Sequence, residues 1–443
     1  MYIKAYTYDG LPHLIGTYTE ITNPSFAPSA DIAGASIPIN EFQIDIHTAD
    51  TIAIGAMAEL YDDLDNLWAQ YWIVYAEHID QRTLRLRAQS EIGILDRISL
   101  PATYYNGASV TSVLDDAIVW STLGSVIPMG YSLDSSFSGE TITGFCPQQT
   151  ARERLLWVAF TIGAYVKTFF NQGIEILPID ETETMIPMGD TYWKPTIIYN
   201  EWVTAIRGHA YSFTLGTPQT TDTYVQDDIG NTYIVTETTF TIQNQNVPAA
   251  APENIVDIKG LYLLNEDNVS DVLTRLTAWY FNRTELDFDA VNNGAYIPGD
   301  KVLVHIDDEN MVSGYINRAT FTFGLQAKAA MHLTGVLAVE TGNLIILYKW
   351  NGKQIGKKMY SFPVGYAYSI TNPYIDKSMN RHRYIFRPLN ENATGTIVAG
   401  KNTNIQNCDV ALDLYKKILH VISVDSITES QDETTLEITG VIE

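Results

Sequence analysis

The amino-acid sequence predicts a mainly β chain with an α+β middle. Two similar β-domains flank helix–hairpin domains, and a β-rich C-terminal module follows. Three observations carry this. Of 443 residues, 27 are Tyr, and Thr and Ile are frequent, a composition that leans to strands. Short alternating apolar runs succeed one another at regular spacing, as in antiparallel barrels and sandwiches. A strand, acidic turn and strand pattern occurs twice, once on each side of the helical stretches. The length allows several domains, and 46% hydrophobic against 18% charged residues suffices for packed cores.

Taken in order, residues 1–40 are punctuated by Pro12, Pro24, Pro28 and Pro38 and read as one or two edge strands and a long arm. Alternation begins at Phe42–Ile46 and continues through Met57–Tyr61, Leu67–Ala76 and Thr83–Ala88. Ser109–Leu123 is the first expected helix, with Val110, Val113, Leu114, Ala117 and Ile118 on one face. The stretch from Ser138 to Asp180 organises the rest. Thr150 and Glu153 have capping-box spacing, and Ala151, Leu155, Val158, Ala159 and Ile162 form an apolar stripe. Gly163 ends this helix where a residue without Cβ is cheapest. Tyr165–Phe170 and Ile174–Leu177 then read as a hairpin around Asn171-Gln172-Gly173.

A threonine-rich β tract follows over about 190–247 and ends at Pro248-Ala249-Ala250-Ala251-Pro252. Asn268 is placed to cap a helix over 268–283, with Val269, Val272, Leu273, Leu276 and Tyr280 on one side. Tyr296–Ile306 resumes the β pattern, with Pro298-Gly299-Asp300 as a turn. Here the repeat appears. Leu60–Ile73, with the turn Asp62-Asp63-Leu64-Asp65-Asn66, resembles His305–Ile316, with the turn Asp307-Asp308-Glu309-Asn310. Further hairpins end in Thr83–Leu86 and Ala330–Leu333, and Ala330–Leu337 matches Thr435–Ile442 in pattern. A short helix is expected near Asp409–Lys417. The boundaries that follow are 1–100, 101–190, 191–338 (with the 268–283 helix inserted) and 339–443.

A formal charge of −25 argues against tight nucleic-acid binding, which rests on Lys and Arg. The charge is uneven. Residues 341–443 hold 11 Lys+Arg against 10 Asp+Glu, which leaves 16 against 42 in residues 1–340. Lys349, Lys353, Lys357, Lys358, Arg381, Arg383 and Arg387 make the last module locally basic, interleaved with Tyr and Trp. In a chain of this sign they read as a solvated face.

Cys146 and Cys408 exclude a disulfide scaffold and read as two buried free thiols. Residues 1–10 lack the regions of a signal peptide, and no apolar run reaches membrane-spanning length, so the product is expected to be made in the cytoplasm. Cys146 precedes a helix start, whose dipole could lower its pKa, but no partner base is evident. The eight His residues form no HExxH, and neither a GxSxG elbow nor a phosphate loop occurs. The acidic turns lack EF-hand spacing and read as solvated β-turns. No catalytic, cofactor-binding or metal-ligating residue is singled out, and no cofactor is implied.

The Ser109–Ile118 helix start, the run SGETITGFCPQQTARERLLWVAFTIGAYVKTFFNQGIEI from Ser138, the helix NVSDVLTRLTAWYFNR (268–283) and YIPGDKVLVHIDDENMVSGYINR (296–318) resemble a known family. It is that of the hub proteins at the end of bacteriophage tails and related injection machines, and the likeness covers about residues 40–338. The resemblance implies two β-barrels of tail-tube type per chain and a non-enzymatic homotrimer whose barrels make a pseudo-sixfold ring. It implies a tube or distal tail protein above, a central spike or tip protein below, and the tape measure protein as a further contact. DNA or payload would pass through the lumen without specific binding. The place implied is the baseplate or tip of a virion tail, assembled in the bacterial host cytoplasm. No lysozyme-like or peptidase domain is inserted or appended, and residues 341–443 match no part of the family. Two other readings stand beside this one. The aromatic strands of 341–443 could bind a receptor or carbohydrate, and a cell-wall hydrolase is disfavoured by the missing motifs.

Overall fold

A computed structural model of the chain describes residues 1–339 apart from 9–10, 64, 124–128, 169–172, 187–190, 192–194, 292–295, 307–309 and 323–327. Beyond residue 340 it describes the backbone of the strands alone. The protein is mainly β, with its helices gathered in the middle of the chain.

Thirteen strands make one sheet. Its order runs Thr196–Tyr199, Thr284–Val291, Lys328–Val339, Met311–Thr322, Ile21–Phe26, Glu41–His47, Thr83–Gln89, Leu67–His78, Met57–Tyr61, Tyr2–Tyr8 and Pro12–Tyr18. Lys301–His305 pairs with Met311–Thr322 off this path, and Glu183–Met185 lies parallel to Lys301–His305.

The same four-strand unit occurs twice in this sheet. Glu41–His47, Met57–Tyr61, Leu67–His78 and Thr83–Gln89 pair in the order first, fourth, third, second. Thr284–Val291, Lys301–His305, Met311–Thr322 and Lys328–Val339 pair in that order too. The turn between second and third strands closes alike in both. The Asp62 N–H donates to the Asn66 carbonyl at 3.1 Å, and the Ile306 N–H to the Asn310 carbonyl at 3.0 Å. The structure therefore aligns Asp62, not Tyr61, with Ile306. At the seam between the units Phe321 pairs with Phe26, and Ser29 bridges Arg318. Phe26 and Phe321 stack there with centroids 5.9 Å apart, Trp68 meets both edge to face, and buried residues of both units belong to one core.

The sequence reading of one or two strands in residues 1–40 is corrected: three strands lie in residues 1–26, and the irregular arm is residues 27–40, with an isolated bridge at Ser29. Ile3 and Ala5 point into the core at period two. Pro12 opens the outermost strand, and Pro24 sits at the register shift between Thr22 and Ser25, two places where a missing N–H is tolerated.

The middle of the chain forms a second core. A short helix at Ile92–Leu95 precedes the expected first one, which runs Val110–Leu114 and continues as a π-helical turn over Asp115–Trp120. The Ala151–Ile162 helix starts as its spacing predicts. Thr150 Oγ1 accepts from the Glu153 N–H at 3.1 Å, and Glu153 Oε2 accepts from the Thr150 N–H at 2.8 Å. Gly163 closes it at φ 83°, in the left-handed region. Ala151, Leu155, Val158 and Ala159 are buried as expected, whereas Ile162 is half-buried and Phe160 turns to a third core. Ala164–Lys167 and Ile174–Pro178 pair antiparallel, and Tyr131–Leu133 adds a parallel strand. The hairpin turn itself falls outside the described residues.

Residues 191–338 feed two cores. Ala205–Leu215, Tyr224–Gln226, Thr232–Gln243 and Ile255–Ile258 form a separate four-stranded sheet under the Val269–Tyr280 helix. Leu273 packs so tightly on Gly208 that a Cβ there would lie 2.9 Å from it. Asn268 precedes this helix without capping it. Its Oδ1 accepts from the Asn265 N–H at 2.9 Å, and its Nδ2 donates to the Leu263 carbonyl at 3.0 Å, so the preceding turn has taken the side chain.

Strands from Thr341 to Ile442 form an eight-stranded sheet of their own. Cys408–Leu414 is one of them, which corrects the helix expected near Asp409–Lys417. Val410, Leu412 and Leu414 alternate with Asp409 and Asp413, and that period of two decides for a strand. Among the described residues no helix is long and apolar enough to cross a membrane.

Candidate assembly edges and an arginine-lined cleft

The chemistry considered from sequence resolves first. Asp62 is consumed by its own turn: its carboxylate accepts from the Asn66 N–H at 2.9 Å, Asn66 Nδ2 at 2.8 Å and Trp68 Nε1 at 3.1 Å. The second acidic turn lies outside the described residues. Among the described residues no group of three or more His, Cys, Asp or Glu is placed to hold a metal ion. Cys146 is a free, buried thiol. Burial pushes its pKa up to about 12 although the Arg154 guanidinium pulls the other way, which corrects the expected lowering by the helix start. The side chains of Cys408 and of the basic face between Lys349 and Arg387 fall outside the described residues.

Arg154 is itself enclosed. Its guanidinium donates to the Pro101 carbonyl at 2.6 Å, the Tyr105 hydroxyl at 3.3 Å and the Pro147 carbonyl at 3.4 Å. It ties two loops to the Ala151–Ile162 helix, a structural task for a buried charge.

Three polar clamps lie on outward sheet faces. Arg85 binds Asp45 through two bonds, of 2.7 and 2.9 Å. His332 meets Asp287 at 2.6 Å and Glu285 at 3.5 Å, and His209 meets Glu237 at 2.6 Å and Asp257 at 2.8 Å. Each joins groups far apart in sequence, so only the pairing register could have revealed them.

Two surfaces remain. The main sheet ends at Pro12–Tyr18 on one side and at Thr196–Tyr199 on the other, with Leu14, Ile15 and Tyr199 exposed along these edges. Open edges of this kind pair with further strands. Between the 29–38 loop and the second four-strand unit lies a cleft of about 470 Å³, walled also by residues 200–203 and the end of the Val269–Tyr280 helix. The Arg283 guanidinium lies over Trp202 and Tyr199, 4.7 and 5.1 Å from the ring centroids. Trp279 Nε1 and Asn317 Oδ1 are buried on its walls with no hydrogen-bond partner. Gly335 keeps the Trp279 ring in place: it sits at φ 63°, and a Cβ there would come within 2.6 Å of the indole.

No protein-family model matches the chain, and neither does any curated protein. A solved structure, the tail protein from Neisseria meningitidis MC58, matches with a TM-score of 0.51 at 12% identity, over 75% of this chain and 96% of that one. The chain has the fold of that tail protein. A prophage tail protein from Listeria monocytogenes EGD-e aligns at 10% identity and a TM-score of 0.49, over 75% of this chain and 94% of that one. A 43 kDa tail protein of a Shewanella oneidensis prophage aligns at 12% identity and 0.49, over 75% and 98%. The resemblance to tail proteins read from the sequence holds, at the level of fold, with the Neisseria structure.

Proposed function

We propose that the chain is a structural hub at the baseplate or tip of a phage-type tail, adapting a sixfold tube to a threefold spike or tip as a ring-forming homotrimer. The observation that carries this is the duplicated four-strand unit inside a tail-protein fold. Three chains with two similar units each offer six near-equivalent positions, and cyclic symmetry closes such a ring with one repeated interface. The open edges at Pro12–Tyr18 and Thr196–Tyr199 are the surfaces through which neighbouring copies would pair.

The acidic balance of residues 1–340 suits a lumen through which DNA or another payload slides without sticking. The tube or distal tail protein, the tape measure protein and the spike are the partners of this reading, in a virion tail assembled in the host cytoplasm. No enzymatic step is assigned. A closed ring of this kind should bury about 2,000 Å² or more per interface. Native mass spectrometry with tube and spike present, together with the copy number in intact particles, tests it. Three copies per tail are expected, and a monomer or dimer in both measurements overturns the reading.

A further inference from the structure

The four-stranded sheet carries a histidine with a carboxylate on each ring nitrogen. His209 stands on the inner strand Ala205–Leu215, between Thr232–Gln243 on one side and Ile255–Ile258 on the other. Its side chain is 8% exposed. Nδ1 lies 2.6 Å from Glu237 Oε1, and Nε2 lies 2.8 Å from Asp257 Oδ1. An ionised carboxylate only accepts, and a neutral imidazole has one N–H to give. A neutral ring would therefore set one lone pair against another at Glu237 or at Asp257. The imidazolium, with two N–H groups, satisfies both ionised partners. His332 gives the contrast. Its Nδ1 is 2.6 Å from Asp287 but its Nε2 is 3.5 Å from Glu285, so a ring with one N–H suffices there.

The pairing register places the neighbouring groups. Arg207 lies opposite Thr241 and Asp257, His209 opposite Thr239, and Tyr211 opposite Glu237. The Tyr211 hydroxyl accepts from the Gly260 N–H at 2.9 Å, and the Tyr262 ring meets Tyr211 edge to face. Lys259, two residues beyond Asp257, is exposed. The Val269–Tyr280 helix packs on the opposite face, through Leu273 and Val269 against Gly208.

From this geometry we infer that His209 is a pH-sensitive latch on the edge strand Ile255–Ile258. Charged, the ring ties Glu237 and Asp257 together across three strands. When one proton leaves to water a single N–H remains, and one carboxylate must turn away. The shorter contact to Glu237 keeps the N–H, so Asp257 is released; at 43% exposure it turns into solvent. Its strand is four residues long and lies at the sheet's edge, whereas Thr232–Gln243 pairs along the whole of Ala205–Leu215. Imidazoles titrate between about pH 5 and 8. The latch contributes at the acid end of that range and is lost toward the alkaline end, because only the folded sheet rewards the second proton. The inference does not rest on the ring.

The test uses the full chain. Hydrogen exchange, corrected for its intrinsic pH dependence, is read by mass spectrometry over residues 253–260 at about pH 6 and about pH 8, relative to Ala164–Lys167. Relative protection should fall about 10-fold or more at the higher pH, as for the loss of one charge-assisted hydrogen bond. H209Q, which has no titrating ring, should remove the difference, and so should D257N, whose amide both gives and accepts. H332Q should leave it. Thermal melts establish that each variant is folded, and if H209Q is not, D257N decides. Ring nitrogen shifts, assigned by their absence from H209Q, should show two N–H groups on His209 at the lower pH. Equal relative protection at both pH values in the wild type overturns the inference. So does a pH difference that survives in both H209Q and D257N, or a single ring N–H at the lower pH.

Discussion

The two four-strand units share an order of strands and differ in polar contacts at corresponding places among the described residues. In the first, Asp45 is buried opposite Arg85 and held by two bonds. In the second, the half-exposed Asp287 lies opposite His332, which also faces Glu285. The first turn is pinned by the Asp62 side chain, whereas Ile306, whose side chain carries no acceptor, occupies the corresponding place in the second. The first unit is extended by the antiparallel hairpin of residues 2–18, the second by the parallel strand Glu183–Met185. Strand order follows from which residues must reach the core, and both units keep that alternation: Phe42, Ile44 and Ile46 in one, Leu286, Phe288 and Ala290 in the other. Outward pairs contribute little each and are free to diverge.

Breaking the seam gives the largest expected effect. Phe321→Ala empties a site that touches Phe26 and Trp68, and should cost about 3–5 kcal/mol. Because both units share one core, hydrogen exchange should quicken in Glu41–Gln89 and in Thr284–Val339 alike. Protection lost in the second unit alone would show two independent barrels.

The exit from the first unit holds a titrating group. Burial raises the pKa of Glu91 to about 7 from its ordinary 4.5, so the folded chain keeps a proton that the unfolded chain gives up. Stability is therefore lost as pH rises from about 4.5 through about 7. Glu91→Gln should match the wild type at pH 4 and exceed it at pH 8 by up to about 3 kcal/mol, checked by urea melts at both values. A constant difference across that range would refute the assignment.

The polar pairs sharpen the contrast at smaller scale. Asp45→Ala should cost about 2 kcal/mol, since it removes two charge-assisted bonds at a carboxylate only 4% exposed. Asp287→Ala, at 47% exposure, should cost under about 1 kcal/mol. Equal losses in parallel thermal melts would mean that the two pairs are not distinguished by burial. Last, Asp62→Ala removes three acceptor contacts in the first turn and should cost about 1 kcal/mol. Ile306→Ala, at the corresponding place and with no side-chain acceptor to lose, should leave the loop register unchanged in proton NMR.

The sequence by itself determined the local elements. Phe42–Ile46, Met57–Tyr61, the capping box at Thr150 and Glu153, and the stop at Gly163 were legible because alternation, capping and left-handed geometry act within a few residues. The repeat was legible too, although its register was read one residue off at Tyr61. What only the tertiary structure decided is which elements share a core. Phe26 meets Phe321, Thr196–Tyr199 joins the main sheet while Ala205–Gln243 leaves it, and Asn268 serves its own turn instead of its helix. The cleft belongs to the same class: Trp279, Arg283, Asn317 and the 29–38 loop are ordinary residues until the seam brings them together. Pairing partners hundreds of residues apart carry no local signature, because any apolar edge of matching period competes for the same place until packing selects one.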